Sequence, residues 1–184
     1  AGKTTLGKKF LSETSLKYQY ITGDDLQLSA ELAKCTVTST KNFVNNYELT
    51  VIDEAQRIPN IGLALKLMVD NYPDRFFIAT GSSSFDLASQ TAEPLTGRKN
   101  VIELFPISQL ELAQDMSKME LILNKEAFLI YGTYPEVINR QIFSEKETAI
   151  KEITNSYLLK DVFAYSSIKN SNKILQILKL LAFQ

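Results

Sequence analysis

The chain has 184 residues, 45% of them hydrophobic and 22% charged, which suits one sizeable globular domain or a domain with part of a second. Twenty basic against 21 acidic residues leave a formal charge of −1, which argues against an all-over nucleic-acid coat though not against a local basic patch. The sequence has no histidine and a single cysteine, Cys35, which removes Ser-His catalysis, His–metal sites, an intrachain disulfide and a CxxC zinc pair, and points to a reducing, cytoplasmic setting. No apolar run approaches the ~18–20 residues that cross a bilayer, and the first residues lack the order of a secretory signal, so no membrane association is expected.

In chain order, "AGKTTLGKKFL" opens with Gly2-Lys3-Thr4, the second half of the phosphate-loop pattern G-x-x-x-x-G-K-[ST]. The first glycine of that pattern would precede Ala1, so the chain is expected to begin inside its own phosphate loop, with its first strand missing. "TTLGKKFLSET" sets Leu6, Phe10 and Leu11 against Lys8, Lys9 and Glu13 and reads as a helix. "KYQYIT" reads as a strand, and Asp24-Asp25 cap a helix through "LQLSAELAK"; "TKNFVNNY" is a weaker helical stretch. "ELTVID" is a compact strand ending at Asp53, "IGLALKLMVDNY" an amphipathic helix closed by Pro73, and "RFFIATG" a strand stopped by Gly81 and serines. "NVIEL" is expected as a further strand stopped by Pro106.

After Pro106 the pattern turns helical: "SQLELAQDM", "KMELILNKEAFLIYG", "PEVINRQIF", "EKETAIKEITNSYLLKDVFAY" and "SNKILQILKLLAF". Strands alternating with helices and then helices alone predict a parallel α/β sheet over residues 1–112 and an all-helical segment over 113–184. The chain stops on "KLLAFQ" inside a helical pattern, so both ends read as cut.

The chemistry concentrates at strand ends. In a phosphate loop the backbone N–H groups surround the β-phosphate, Lys3 reaches the β- and γ-phosphates, the Thr4 hydroxyl takes Mg²⁺, and Thr5 lies near the α-phosphate. The helix that follows aims its positive end at the anion. A strand ending in Asp places Asp53 at the carboxyl edge of the sheet, where it serves Mg²⁺ through water or the Thr4 hydroxyl. Glu54 then polarises a water for in-line attack on the γ-phosphate. Asp-Glu after a strand also suits a helix N-cap, a competing use of the same two residues. Thr80 and Ser82 present hydroxyls either to the γ-phosphate and its water or to a helix start, whereas Ser83 and Ser84 read as capping. Arg98 before "NVIEL" suits charge stabilisation on a phosphoryl group, although by itself it reads as a solvated loop arginine.

The order GKT, strand-DE, strand-TGS resembles a P-loop nucleoside triphosphatase. Through "GKTTL", "LTVIDEAQRIPNIGLALK", "FIATGSSSFDL", "LTGRKNVIELFPIS", "YGTYPEV" and "SYLLKDVFAYSSIKN", the whole chain resembles the AAA+-related ATPases of bacteria and archaea that carry a further, nuclease-like C-terminal domain. The resemblance implies a three-layer P-loop core followed by a helical lid and winged-helix-like segment. It also implies ATP and Mg²⁺ as cofactors. Lys3 and Thr4 fall in the Walker A string, Asp53 and Glu54 in the Walker B string, Ser82 in the sensor segment, and Arg98 on the family's Gly-Arg. Thr133 stands where a second glycine is usual, so Gly132 and Pro135 read as a helix stop and start. Nothing in these residues supports nuclease activity.

The leading expectation is Mg²⁺-dependent ATP hydrolysis coupled to movement of the helical segment. The alternative is a nucleotide-sensing switch with little hydrolysis. A homo-oligomer is a partner expectation, and nucleic acid is one by resemblance alone; Lys169, Lys173 and Lys179 near the end read as an ordinary solvated helix face. With half a phosphate loop, residues 1–184 alone are expected to bind ATP poorly.

Overall fold

The computed structural model describes residues 2–81 and 94–155 together with 176, 177, 180, 181 and 183. Ser82, the helix expected over "SFDLASQ", the string "SYLLKDVFAYSSIKN" and the three late lysines lie outside the described residues. The chain forms two compact units, Ala1–Leu104 and Phe105–Gln184, so the change of character falls just ahead of "SQLELAQDM".

In the first unit, helix α1 (Lys3–Glu13) leads to strand β1 (Tyr18–Thr22), helices α2 (Leu26–Leu32) and α3 (Val37–Val44), strand β2 (Leu49–Asp53), a single 3₁₀ turn (Ala55–Arg57), helix α4 (Ile61–Asn71) and strand β3 (Phe76–Ala79). The strands form a parallel sheet in the order β1-β2-β3, with Thr22 opposite Asp53 and Ile52 opposite Ala79. Helices occupy every connection between neighbouring strands, as parallel pairing requires. β2 is central and all five of its side chains are buried, which is why "LTVID" carries an unbroken apolar and β-branched run.

Alternation along the strands sorts the two faces. Leu49 and Val51 face α1 and pack with Leu11, Leu16, Tyr20 and Ile78. Ile21 and Ile52 face the other way, into a larger core with Leu32, Phe43 and Val44 and with Ile61, Ala64, Leu65 and Met68 of α4. Those four α4 positions recur at helical spacing, so one face of α4 is apolar throughout. Each fully buried Ile or Leu in this layer contributes on the order of 1.5–3 kcal/mol.

Helix α2 starts where expected, with the Asp25 carboxylate accepting from the N–H groups of Gln27 and Leu28. α3 begins earlier than "TKNFVNNY" suggested, because Thr36 and Ser39 form a reciprocal capping box. The expected strand "NVIEL" does not form. Residues 101–105 are irregular, with Val101 and Ile102 exposed by 68% and 89%. β-branched residues make a strand when a neighbour supplies a ladder and a covering face, and among the described residues nothing pairs with this segment.

The second unit is helical among its described residues: α5 (Gln109–Asp115), α6 (Lys118–Leu123), α7 (Lys125–Tyr131), α8 (Pro135–Ile138) and α9 (Phe143–Ile153). Ser108 with Glu111, and Ser117 with Glu120, make capping boxes that start α5 and α6. "KMELILNKEAFLIYG", expected as one helix, is interrupted at Asn124 (φ −88°, ψ 0°), whose backbone N–H and side-chain amide both donate to the Glu120 carbonyl at 2.9 Å. Gly132, at φ 72°, ends α7, and Pro135 opens α8. Among the described residues no helix is long and apolar enough to cross a membrane.

Candidate functional site

Three hydroxyl groups converge on the Asp53 carboxylate at the carboxyl edge of the sheet. Thr4, in the first turn of α1, donates to Oδ2 at 2.8 Å across a separation of 49 residues. Tyr20, on β1, donates to the same oxygen at 2.6 Å. Thr80, just past β3, donates to Oδ1. All four residues belong to the α1 face: Tyr20, Val51 and Ile78 share one packed cluster there, and Asp53 and Thr80 lie two residues beyond the last two. Asp53 is 5% exposed.

Burial by itself would raise the Asp53 pKa, but the hydrogen bonds from Thr80, Tyr20, Thr4 and the Glu54 backbone outweigh it and hold the carboxyl below its ordinary range. Tyr20 moves the other way. Its hydroxyl is pushed up to about 12, first by burial, then by its bond to Asp53 and by the charges of Asp53, Glu54 and Asp24. The pair is therefore a committed donor and a committed acceptor at neutral pH. The side chain of Asp53 is spent on these hydroxyls, so the helix-cap use open to it from sequence is not the one adopted.

Glu54 follows with a left-handed backbone, φ 50° and ψ 39°, an uncommon conformation for a residue with a Cβ. Its N–H lies 3.4 Å from the Thr80 hydroxyl, and its carboxylate accepts from Gln56 Nε2 at 2.7 Å. Arg57 lies 3.7 Å from the same carboxylate and also pairs with Asp24. The left-handed turn lets the chain leave β2 sharply against Gly23, whose N–H donates to the Asp53 carbonyl at 2.8 Å. A Cβ on Gly23 would lie 2.4 Å from the Glu54 carbonyl oxygen, so only glycine fits this approach.

The start of α1 lies beside this hub. Gly2 is its N-cap at φ 74° and ψ 6°, and a glycine has no side chain with which to cap the first turn. Among the described residues the leading N–H groups of the helix meet no capping side chain, and the first turn holds no acidic residue. Lys3 is partly exposed and Thr5 exposed in that turn. Oxygen donors from Thr4 and Asp53 suit a hard cation such as Mg²⁺. Among the described residues no three or more Asp, Glu, Cys or His side chains gather into a metal cage. The Thr4–Asp53 pair therefore fits an ion that keeps water and phosphate ligands.

Gly2, Lys3, Thr4, Thr5, Asp53 and Glu54 thus share the region where α1 begins and β2 ends. Arg98 is elsewhere: its Nε pairs with Asp70 at 3.0 Å, near the end of α4 that leads into β3. Ser82 lies outside the described residues. A cleft of about 450 Å³ lies beyond Glu54, lined by residues 56–60, Leu63 and Pro94. Its lining includes none of Lys3, Thr4 or Asp53, so this cleft is separate from the hydroxyl–carboxylate hub. Tyr20 and Gly23 were invisible as site residues, because their partners lie some thirty residues away on a neighbouring strand.

A parallel sheet with a threonine-bearing helix start hydrogen-bonded to the aspartate at a strand end defines a P-loop NTPase-like α/β protein. Residues 1–113 match the AAA domain family, more than half of the chain, and the chain belongs to that family of ATPase-like nucleotide-binding proteins. Residues 122–184 match a family described as a domain of unknown function. An uncharacterized protein of Mycobacterium tuberculosis and one of Mycobacterium bovis are each 47% identical over 58 residues, 30% of this chain and 13% of their own length. An uncharacterized protein of the archaeon Methanocaldococcus jannaschii is 25% identical over 142 residues, covering 71% of this chain and 32% of that protein. The matches thus span less than a third of each relative's length. No solved structure matches the chain.

Proposed function

We propose that the whole protein binds ATP with Mg²⁺ at the junction of α1 and β2 and hydrolyses it. The observation that carries this reading is the 2.8 Å hydrogen bond from the Thr4 hydroxyl to Asp53, which ties the helix start to the strand end. Lys3 and the uncapped N–H groups of α1 would receive the phosphates. Thr4 and Asp53 would hold Mg²⁺, whose contribution when bound is to neutralise charge on the phosphate oxygens. Tyr20 and Thr80 keep Asp53 oriented. Glu54, next along the chain and fixed by its turn against Gly23, takes the proton of the attacking water.

In its own subunit Arg98 is engaged with Asp70, which supports a role towards a neighbouring copy in a homo-oligomer over one at its own site. Turnover would be relayed to the helical unit as a change of conformation. One observation favours a second reading, in which the protein senses nucleotide with little hydrolysis: the Glu54 carboxylate is already held by Gln56 and Arg57. Glu54→Gln in the whole protein separates the two. Under the ATPase reading it retains ATP binding and loses turnover by about 10²–10⁴-fold. Unchanged turnover in that variant would remove Glu54 from the role of base.

A further inference from the structure

The two oxygens of Asp53 are not equivalent. A carboxylate oxygen offers about two lone-pair sites. Oδ2, the oxygen turned to Thr4, accepts from the Thr4 hydroxyl at 2.8 Å and from the Tyr20 hydroxyl at 2.6 Å, so both of its sites are taken. Oδ1 accepts from Thr80, on the side of β3. Tyr20 is itself fixed from several directions. Its backbone is in the β1–β2 ladder opposite Val51, its ring packs among the α1-face residues, and Lys8 Nζ of α1 lies 5.9 Å from the ring centroid. The position of its hydroxyl is therefore set by the strand, and no side-chain rearrangement is needed to keep it on Oδ2.

We propose that Tyr20 is a positioning residue that saturates Asp53 Oδ2 and so keeps this oxygen, the one turned to the start of α1, out of a bound cation's inner sphere, where it reaches the cation only through the Thr4 hydroxyl. The consequence is selectivity. Mg²⁺ dehydrates reluctantly and keeps several waters, which an outer-sphere carboxylate serves well, whereas Ca²⁺ takes carboxylate oxygens directly and in larger number. Tyr20 then favours Mg²⁺ by withholding the lone pair that Ca²⁺ would use. This inference rests on the reading of the site as one for a nucleotide with a divalent cation.

The test uses the whole protein with a non-hydrolysable ATP analogue and reads binding, not activity. Mg²⁺ and Ca²⁺ affinities are measured by calorimetry for the wild type, Tyr20→Phe and Thr80→Val. Water ligands are counted on Mn²⁺, bound in place of Mg²⁺, by magnetic resonance in ¹⁷O-labelled water. Tyr20→Phe is expected to shift the Ca²⁺-to-Mg²⁺ affinity ratio towards Ca²⁺ on the order of tenfold to a hundredfold, the scale of one hydrogen bond to a charged group, and to remove one water from Mn²⁺. Thr80→Val frees Oδ1 instead and leaves the ratio where it was. A general loss of stability weakens both cations together and does not move the ratio. An unchanged ratio and water count in Tyr20→Phe, with the wild type binding normally, overturns the role of Tyr20 alone. An equal shift in Thr80→Val overturns the saturation argument, because any loosening of Asp53 would then suffice. A wild type that takes up neither cation with the analogue overturns the nucleotide reading and this inference with it.

Discussion

The sheet face turned to α2, α3 and α4 carries Ile21, Ile52 and Phe77 into a broad apolar core. The face turned to α1 has a smaller cluster, Leu11, Leu49 and Val51, and at its carboxyl edge gives way to Tyr20, Asp53 and Thr80. Adjacent residues of one strand therefore have different surroundings: Ile52 belongs to the layer that holds the fold together, Asp53 to the polar edge proposed as the nucleotide site. A period of two along the chain is enough to separate them.

The sharpest way to break this contrast is to change those two neighbours in turn. Ile52→Ala opens a hole in the fully buried layer and should cost about 2–5 kcal/mol of stability, read as a lower midpoint in urea with an unchanged slope. Asp53→Asn keeps the shape but removes the charge that Thr4, Tyr20 and Thr80 address. It should lower Mg²⁺-dependent turnover in the whole protein by about 10²-fold or more while shifting the midpoint less than Ile52→Ala does. If Asp53→Asn instead unfolds the protein with turnover per folded molecule unchanged, the two faces do not divide in this way.

Gly23 sits where the faces meet, at the close approach to Glu54. Gly23→Ala must displace the Glu54 carbonyl and should cost about 1–3 kcal/mol, with turnover falling further than stability explains because the Glu54 turn moves. A variant of full stability and full activity would mean that the turn has slack.

The smallest effects belong to the helical unit, far in sequence from this edge. Ser108→Ala removes one capping bond of α5 and should cost about 1 kcal/mol without touching nucleotide binding. Glu111 and Glu120 are held below the ordinary glutamate range, chiefly by the N–H of Ser108 for the first and the hydroxyl of Ser117 for the second. Because their folded values lie below the unfolded ones, the stability they add is present above the unfolded glutamate value. It is lost as pH falls through the folded value. Acid titration followed by circular dichroism should show the gap between wild type and Ser108→Ala narrowing at low pH, as the bond from the Ser108 hydroxyl to the Glu111 carboxylate is lost. The gap should not close, because the bond from the Glu111 N–H to the Ser108 hydroxyl does not titrate.

Much of this was legible from residues alone. "LTVID" announced a buried strand ending in a carboxylate, and "GKT" a helix start with a hydroxyl, since both depend on local pattern. Alternation could also have placed Tyr20 on the Asp53 face, but not against it, because that contact depends on strand register between β1 and β2. "NVIEL" misled for a related reason. Its composition matches β2, yet a strand is made by its neighbours, and residues 101–105 have none among the described residues. At Asn124 an apparently continuous helix is interrupted by one residue's backbone angles, φ −88° and ψ 0°, which periodicity does not register.

Whether the Thr4–Asp53 junction serves turnover is decided by multiple-turnover phosphate release from ATP by the whole protein, with and without Mg²⁺. Continuous release over many equivalents per site is expected, abolished when Mg²⁺ is chelated. Tight ATP binding that yields one phosphate per site or none would contradict the ATPase reading and establish a nucleotide sensor in its place.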